Sequence, residues 1–466
     1  MKIFLFGTGD FYRLYKDWFR REDILGLIDN DINKRGTLID GYTVYLPDEA
    51  VKQPFDYIVI LSVYEEEMQD QLQKLGVAKN KICIFSELHR HPELLIPERP
   101  LSLYGSDKIF SEIMQDGCTN AVLLMAHDLD LNGATLALFY MAQILAKNHI
   151  NVLFASQSDG PLRRYLNEEK VPLVIDSNLQ IKTQKQAEWT HGFGRIVCNT
   201  INYYQFLSDR DLNCKVIWWL HEPAMFYKSL DQKLLHSLSD KNLTVYGVGP
   251  IAEGAFKKYF PDFDVHCLLY GIPGVTARRK PHDKLRFITI GRVEERKGQK
   301  ILVQALKELD RDIKKQISVN IVGFKPSIYA DEVKDMAKEF GEMVRFTPTV
   351  DREHIQGLLD ESDVLVCPSI VDPMPVVCNE AMQHSLPCIV SDAAGNAAYI
   401  KDDENSFVVK AGDAKNLAEK ITWCVKHQDE LGQIGKNAKQ IYEQNFSMDV
   451  FEKNVMKIVG NMVKEN

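Results

Sequence analysis

The 466-residue sequence lacks the features that define several common protein classes. No apolar run approaches the roughly 18 residues that a membrane-spanning helix needs, and the first residues, MKIFLFGTGD, predict a β-strand rather than a signal peptide. Positive charge is scarce, because 56 Lys and Arg face 65 Asp and Glu and the net charge is -9. This balance disfavours binding to nucleic acid. We expect a cytoplasmic protein, and a peripheral contact with the inner face of the membrane is left open.

Metal and disulfide signatures are also absent. The nine cysteines are dispersed, with no CxxC pair and no metal-ligand spacing, which favours a reducing compartment. Asp128 and Asp130 form a DxD, which is a metal–nucleotide signature in some enzymes. Here the acids run directly into a glycine-opened helix, so we expect neither a metal site nor a bound cofactor.

Short apolar runs alternate with helical segments along the whole chain, which predicts α/β units with parallel sheets. The segment HRHPELLIPERP, residues 89–100, is rich in proline and charge and is interpreted as a linker. The predicted organisation is a small Rossmann-like domain, then two further α/β domains, then a C-terminal helix that packs back on the middle domain: 1–95, 112–275, 276–446 and 447–466.

The stretch GRVEERKGQ follows an apolar strand and carries two cations around a short loop. Gly291 allows the chain to turn, and Arg292 and Lys297 then offer fixed positive charge at a strand end. Such a pair binds a diphosphate without a metal. The alternative is a solvated basic turn.

Two other strand ends carry candidate residues. In HDLDLNGATLAL, Gly133 opens a helix whose free N–H groups attract an anion, unless the glycine serves packing alone. In WWLHEPAMFY, His221 follows an apolar strand, where a histidine faces a ligand or else caps a loop.

The stretch SIVDPMPVVCNEAM places two carboxylates around a predicted helix start. Pro375 suits the first helical turn, and the N–H groups near Met374 and Val376 are expected to receive phosphate or sugar oxygens. Glu380 is expected to accept both hydrogens of a ribose diol, and Asp372 to hold sugar hydroxyls. The alternatives are that Asp372 caps the helix and that Glu380 belongs to a solvated face.

Together and in this order, these motifs resemble retaining GT-B glycosyltransferases of glycosyltransferase family four, over about residues 117–460. The stretch DPMPVVCNEA is similar to a subgroup of that family in which aspartate replaces the first of two motif acids. The resemblance implies two Rossmann-like domains facing across a cleft, preceded here by a smaller Rossmann-like domain. Residues 112–275 would be the acceptor domain and 276–446 the donor domain.

The resemblance also implies roles for the candidate residues. Arg292 and Lys297 would bind the donor diphosphate, Glu380 the ribose and His221 the transferred sugar. Asp372 would contact the sugar hydroxyls or the backbone on the side of the diphosphate. The co-substrate would be a nucleoside-diphosphate sugar, transferred with retention and without a metal. The acceptor would be a glycan or a polyprenyl-linked glycan of cell-surface polysaccharide synthesis.

The first unit resembles the N-terminal domain of bacterial sugar acyltransferases, through GTGD and LIDNDINKRGTLIDGYTV. Gly7 and Gly9 form a GxG with Asp29 twenty residues later, but Tyr12 replaces the third glycine of the dinucleotide fingerprint. We therefore expect a docking or acceptor-positioning module rather than a nucleotide site.

Two other functional classes fit the same sequence. One is a different enzyme on the same fold, a sugar-nucleotide epimerase or a phosphorylase. The other is a non-catalytic partner subunit that keeps the fold, which the set Arg292, Lys297 and Glu380 disfavours.

Overall fold

The computed structural model describes residues 1–62, 64–96, 100–105, 110–111, 121–277 and 283–464. The chain divides into two compact units. The first comprises Met1–Trp219 with Ala224–Thr244, and the second comprises Leu220–Pro223 with Val245–Asn466. The predicted start of the middle domain, at residues 112–120, lies outside the described residues.

The first sheet has six strands in the order β3-β4-β2-β1-β5-β6. All of its strand pairs are parallel except the β3–β4 hairpin. The central strand β1 is buried on both faces, with Ile3 and Leu5 in one apolar core and Phe4 and Phe6 in the other. The strands are Ile3–Phe6, Ile24–Ile28, Leu38–Ile39, Tyr42–Tyr45, Tyr57–Ile60 and Ile82–Ile84.

The second sheet has eight strands in the order β14-β13-β12-β11-β8-β9-β10-β7. Its edge strand β7 runs antiparallel to β10 and was not expected from the sequence. The strands are Ser102–Tyr104, Ala121–Ala126, Asn151–Ser156, Leu173–Ile175, Arg195–Asn199, Lys215–Leu220, Leu243–Gly247 and Val265–Cys267.

The third sheet is wholly parallel, with six strands in the order β17-β16-β15-β18-β19-β20. Its central strands are apolar on both faces because helices cover both sides of the sheet. The strands are Leu285–Ile290, Ile317–Phe324, Val344–Pro348, Val364–Cys367, Cys388–Ser391 and Phe407–Val409.

Helices connect most of the strands, as the alternating pattern predicts. In chain order α1 to α16 are Asp10–Tyr15, Pro47–Ala50, Glu65–Lys74, Gly133–Lys147, Leu162–Glu168, Tyr204–Ser208, Gln232–His236, Pro250–Tyr259, Gln299–Glu308, Arg311–Gln316, Ile328–Met336, Arg352–Asp360, Val376–Gln383, Ala414–Lys426, Gln428–Asn445 and Met448–Lys464. Within the described residues, none of these helices combines the length and apolarity needed to cross a bilayer.

The linker interpretation of residues 89–100 is wrong for its first half. Leu94 and Leu95 are buried in the core of the first sheet, and Leu95 forms a bridge with Phe19. The prolines and charges of this stretch favoured a linker in the sequence, although two of its apolar residues complete the core. Residues 97–99, in its second half, lie outside the described residues.

Candidate functional site

The loop after β15 begins with a glycine that the backbone requires. Gly291 has φ +146°, a region that L side chains rarely adopt. A Cβ here would lie 3.8 Å from the side-chain carbons Cδ and Cε of Lys297, so the lysine folds back over the turn. Arg292, the next residue, has an exposed side chain.

The far end of the same loop is fixed even more tightly. Gly298 has φ +70°, and a Cβ on it would stand 1.9 Å from the carbonyl oxygen of Pro368. Gln299, buried at the first position of α9, donates from Nε2 to the Arg292 carbonyl oxygen at 2.9 Å. These two constraints hold the loop that carries Arg292 and Lys297 in one shape.

Lys297 and Asp372 form the charged centre of this region. Lys297 Nζ donates to Asp372 Oδ2 at 2.5 Å, and Arg296 lies 3.8 Å from the same oxygen. Asp372 is 6% exposed. No side chain caps α13, so Asp372 does not act as its cap. The structure therefore brings two of the predicted site residues, Lys297 and Asp372, into direct contact.

Helix α13 begins at Val376, with Pro375 immediately before it rather than in its first turn as expected. Tyr270 is buried and donates from its hydroxyl to the Met374 carbonyl oxygen at 2.7 Å. Burial, and then the nearby carboxylates of Asp372 and Glu380, hold the pKa of Tyr270 well above its ordinary value. Tyr270 is thus a neutral donor that fixes the backbone just ahead of the helix.

Gly395 supports the same turn from the short helical turn that follows the neighbouring strand β19. A Cβ at this position would come within 1.8 Å of the Pro373 carbonyl oxygen, so only glycine fits. Its N–H donates to the Asp372 carbonyl oxygen at 2.9 Å, and the Asp372 N–H donates to Ala393 at 3.1 Å. The backbone of residues 372–375 is held on both sides.

Glu380 is 4% exposed, which excludes the alternative of a solvated helix face. Its Oε1 lies 3.1 Å from the Arg352 guanidinium. Burial raises the pKa of Glu380 and the charge of Arg352 partly offsets that rise, so the net shift is upward. A buried carboxylate with a single cationic partner retains lone pairs for a further donor.

His221 directly follows the last residue of β12, as predicted. Its backbone N–H donates to the Glu222 side chain at 2.9 Å. The imidazole therefore starts at the carboxyl end of a parallel strand, the edge where α/β sheets place ligands.

Gly133 is the first residue of α4, and Asn132 caps that helix by accepting from the Thr135 N–H at 3.0 Å. Asp128 is buried and accepts hydrogen bonds from the side chains of Asn132 and Thr135 at 2.9 Å each. Burial alone would raise the pKa of Asp128, but His127, the Thr135 hydroxyl and the Asp130 N–H lower it. The DxD aspartate therefore fastens the helix start.

The glycine turn of the first sheet is closed by side chains. Asp29 accepts hydrogen bonds from Thr8 and from Lys34, the latter at 2.8 Å. Tyr12, at the place of the missing third glycine, is buried and donates to Asp40 at 3.0 Å. The carboxylate that would bind a ribose in a dinucleotide fold is thus occupied by residues of the same domain.

Family models match both larger parts of the chain. Residues 119–242 match the model "Glycosyl-transferase family 4", and residues 276–441 match "Glycosyl transferases group 1". The chain belongs to the GT-B glycosyltransferases of family 4. Residues 1–83 of this glycosyltransferase match a model described as "C2185-like, N-terminal". That description names no acyltransferase, so the resemblance of the first domain to acyltransferases stays a prediction.

Curated relatives agree with this family. Spore coat protein SA of Bacillus subtilis is 28% identical over 68% of this chain and 92% of its own length. The putative colanic acid biosynthesis glycosyltransferase WcaL of Escherichia coli is 22% identical over 39% of the chain. The chain spans only 46% of the length of WcaL and of the amylovoran biosynthesis glycosyltransferase AmsK of Erwinia amylovora.

Solved structures confirm the GT-B fold. Anabaena HepE in complex with UDP and glucose superposes with a TM-score of 0.62 at 18% identity, covering 73% of this chain and 99% of that one. A glycosyltransferase from Rickettsia africae gives a TM-score of 0.62 at 16% identity, covering 74% and 100%. At these identities the likeness shows the fold alone.

Sequence reasoning missed three residues of the site. Arg296 stands between two predicted cations, and the charge-rich loop was the signal that could have included it. Tyr270 follows an apolar stretch, and Arg352 opens a helix 28 positions before Glu380. Nothing local marks either of them, because their roles arise from contacts distant in the chain.

Proposed function

We propose that the chain is a retaining, metal-independent glycosyltransferase. It transfers a sugar from a nucleoside-diphosphate sugar to a glycan or polyprenyl-linked acceptor in cell-surface polysaccharide synthesis. The observation that carries the proposal is the contact of Lys297 with Asp372 beside the helix start that bears Glu380. The names of the relatives, which mention colanic acid and amylovoran biosynthesis, support a role in polysaccharide synthesis.

In the proposed site, Lys297 and Arg292 neutralise the donor diphosphate. Lys297 now donates to Asp372, so diphosphate binding exchanges one anionic partner for another of higher charge. Asp372, released from the lysine, accepts hydroxyls of the transferred sugar. The N–H groups of Met374 and Val376, held by Tyr270 and Pro375, face the phosphate or sugar oxygens.

Glu380 accepts both hydroxyls of the donor ribose through the lone pairs that Arg352 leaves available. Gly133, at the first turn of α4, gives the acceptor domain a surface without a side chain, and His221 contacts the transferred sugar. The fixed cations stabilise the departing diphosphate, a term worth several kcal/mol in comparable sites.

In the proposed reaction, the bond between the anomeric carbon and the diphosphate oxygen breaks. The acceptor oxygen bonds to the same face of that carbon, and its proton passes to the leaving diphosphate. Retention then needs no protein nucleophile. Asp128, the buried member of the DxD, is engaged by Asn132 and Thr135, which accounts for this carboxylate without a metal.

The test is an incubation with UDP-, GDP-, ADP- and dTDP-sugars, with and without saccharide acceptors, followed by proton NMR. We expect release of the nucleoside diphosphate that depends on acceptor, and a product whose anomeric configuration equals that of the donor. An inverted product would contradict retention. Isomerised donor without a new glycoside would indicate an epimerase, and a requirement for free phosphate would indicate a phosphorylase.

A further inference from the structure

A cavity of about 450 Å³ lies in the first unit, and its lining residues are distinct from those of the candidate donor site. One wall is the start of α3 and the end of β6 in the first sheet, residues 64–69 and 84–90. The other wall is the segment 225–233, which runs from the loop after β12 into the first turn of α7. The volume falls within the roughly 300–1,000 Å³ typical of small-molecule sites.

The two walls are fastened together. Arg90, on the first-sheet wall, makes an ion pair with Asp231, whose side chain is only 6% exposed. Asp231 also caps α7 by accepting from the N–H groups of Lys233 and Leu234. Elsewhere in the unit, Ile181 packs against the first-sheet core. The cavity is therefore a built feature shared by the N-terminal domain and the second domain.

The lining combines aromatic faces with hydrogen-bonding side chains. Tyr64 is 57% exposed and Phe226 is half-buried, and both line the cavity. The exposed carboxylates Glu66 and Glu67 stand among them, with the amide oxygen of Gln232, whose Nε2 donates to the Tyr227 and Leu230 carbonyl oxygens. Aromatic rings pack on the C–H faces of sugar rings, and carboxylates and amides accept or donate to neighbouring hydroxyls.

The charge of the lining disfavours other ligand classes. Five carboxylates face three cations here, and one of the cations, Arg90, already pairs with Glu87 and Asp231. A phosphate or nucleotide would meet net negative charge. A polyprenyl chain would bury carboxylates without partners. A saccharide without anionic groups meets neither obstacle.

We propose that this cavity binds the distal sugars of the acceptor glycan, a neutral or amino-bearing saccharide. The role of the bound saccharide as an acceptor rests on the proposed transferase function. The binding of a saccharide in this cavity does not. Met225, in the cavity wall, follows His221 by only four residues in the chain. The N-terminal domain would thus lengthen the acceptor site.

Saccharide binding is tested on the intact chain by saturation-transfer NMR and calorimetry. The probes are neutral and amino oligosaccharides of one to six residues. We expect Tyr64→Ala and Phe226→Ala to weaken binding at least tenfold. Tyr165→Ala, an exposed tyrosine outside the cavity, should leave binding unchanged. Absence of binding by the wild type, or equal binding by all variants, would overturn the proposal, whatever the outcome of the transferase assay.

The acceptor role is tested by kinetics with acceptors of increasing length. In Tyr64→Ala we expect KM for long acceptors to rise at least tenfold, while kcat and the activity on a monosaccharide acceptor stay as in the wild type. An unchanged KM for long acceptors, or the same loss on the short acceptor, would overturn the assignment. Failure of the transferase function would appear separately, as no diphosphate release from any donor.

Discussion

At the scale of single residues, the candidate donor site depends on how two carboxylates are used. Asp372 is engaged by Lys297, and Glu380 is buried against Arg352. The two acids have the same chemistry but different partners, because one faces the glycine loop and the other lies within α13. The proposed function accordingly gives Asp372 a role beside the diphosphate and sugar, and Glu380 a role at the ribose.

Glu380 gives the first prediction. If its carboxylate accepts both ribose hydroxyls, the wild type should prefer the ribonucleoside diphosphate over its 2′,3′-dideoxy analogue by about 10- to 150-fold, since a charge-assisted hydrogen bond is worth roughly 1.5–3 kcal/mol. Glu380→Gln should lose most of this preference. Titration calorimetry with both ligands measures it. Equal preference in wild type and variant would remove Glu380 from the ribose site.

Glu65 gives a prediction about pH. Burial raises the pKa of Glu65 to about 7, despite hydrogen bonds from the Ser86 N–H and hydroxyl. Between the unfolded value near 4.5 and the folded value near 7, the folded state holds a proton that the unfolded state releases. The free energy of unfolding therefore falls as pH rises through this window, by about 3 kcal/mol in all, and is level above it.

The variant Glu65→Gln should remove this loss, so its thermal midpoint should fall less than that of the wild type between pH 5 and pH 8. Glu66→Gln, an exposed neighbour, is the matched control and should follow the wild type. Differential scanning fluorimetry at both pH values is sufficient. An equal fall of the thermal midpoint in Glu65→Gln and in the wild type would contradict the raised pKa of Glu65.

At the scale of elements, the glycine loop between β15 and α9 is set by backbone requirements. Gly298→Ala should destabilise the chain by about 2–4 kcal/mol, because its Cβ would collide with the Pro368 carbonyl oxygen and φ is left-handed. Gly357→Ala, in the open interior of α12, should be neutral or stabilise by up to about 1 kcal/mol. Denaturant unfolding compares them. Equal stability of the two variants would contradict the account of this loop.

Elements with a strong local pattern could be predicted from the sequence, and those that depend on distant contacts could not. The apolar strands of the third sheet and the helix opening at Gly133 follow from runs of residues within a few positions. The hairpin of Leu38–Ile39 with Tyr42–Tyr45 and the edge strand Ser102–Tyr104 are short and partly exposed, so they carry little apolar signal. Leu94 and Leu95 were missed because prolines and charges surround them.

The same division applies to the site. Gly291, Lys297 and Asp372 could be named as candidates because each belongs to a motif, and the structure places Lys297 in contact with Asp372. The sequence analysis did not identify Tyr270, Arg296 and Arg352. The partner of Glu380 lies on a different helix, and no spacing within the sequence specifies that α12 and α13 bring Arg352 to it. Contacts of this kind are set by packing alone.

At the scale of the whole molecule, the N-terminal domain is more than an appended segment. Its core accepts Ile181, and its Arg90 reaches Asp231 of the second domain. Because its ribose-type carboxylate is occupied by Thr8 and Lys34, a nucleotide role is disfavoured, and the expectation of an acceptor-positioning module gains a physical candidate in the shared cavity.

The central claim is that Lys297 exchanges Asp372 for the diphosphate of a sugar nucleotide. Titration calorimetry tests it most directly, with the nucleoside diphosphate of the donor that the screen identifies as ligand. The variant is Lys297→Ala, and the control is Lys300→Ala, because Lys300 pairs with Glu332 and not with Asp372. We predict roughly 10- to 150-fold weaker binding for Lys297→Ala, the equivalent of about 1.5–3 kcal/mol, and wild-type affinity for Lys300→Ala. Equal affinity of both variants and the wild type would contradict the account.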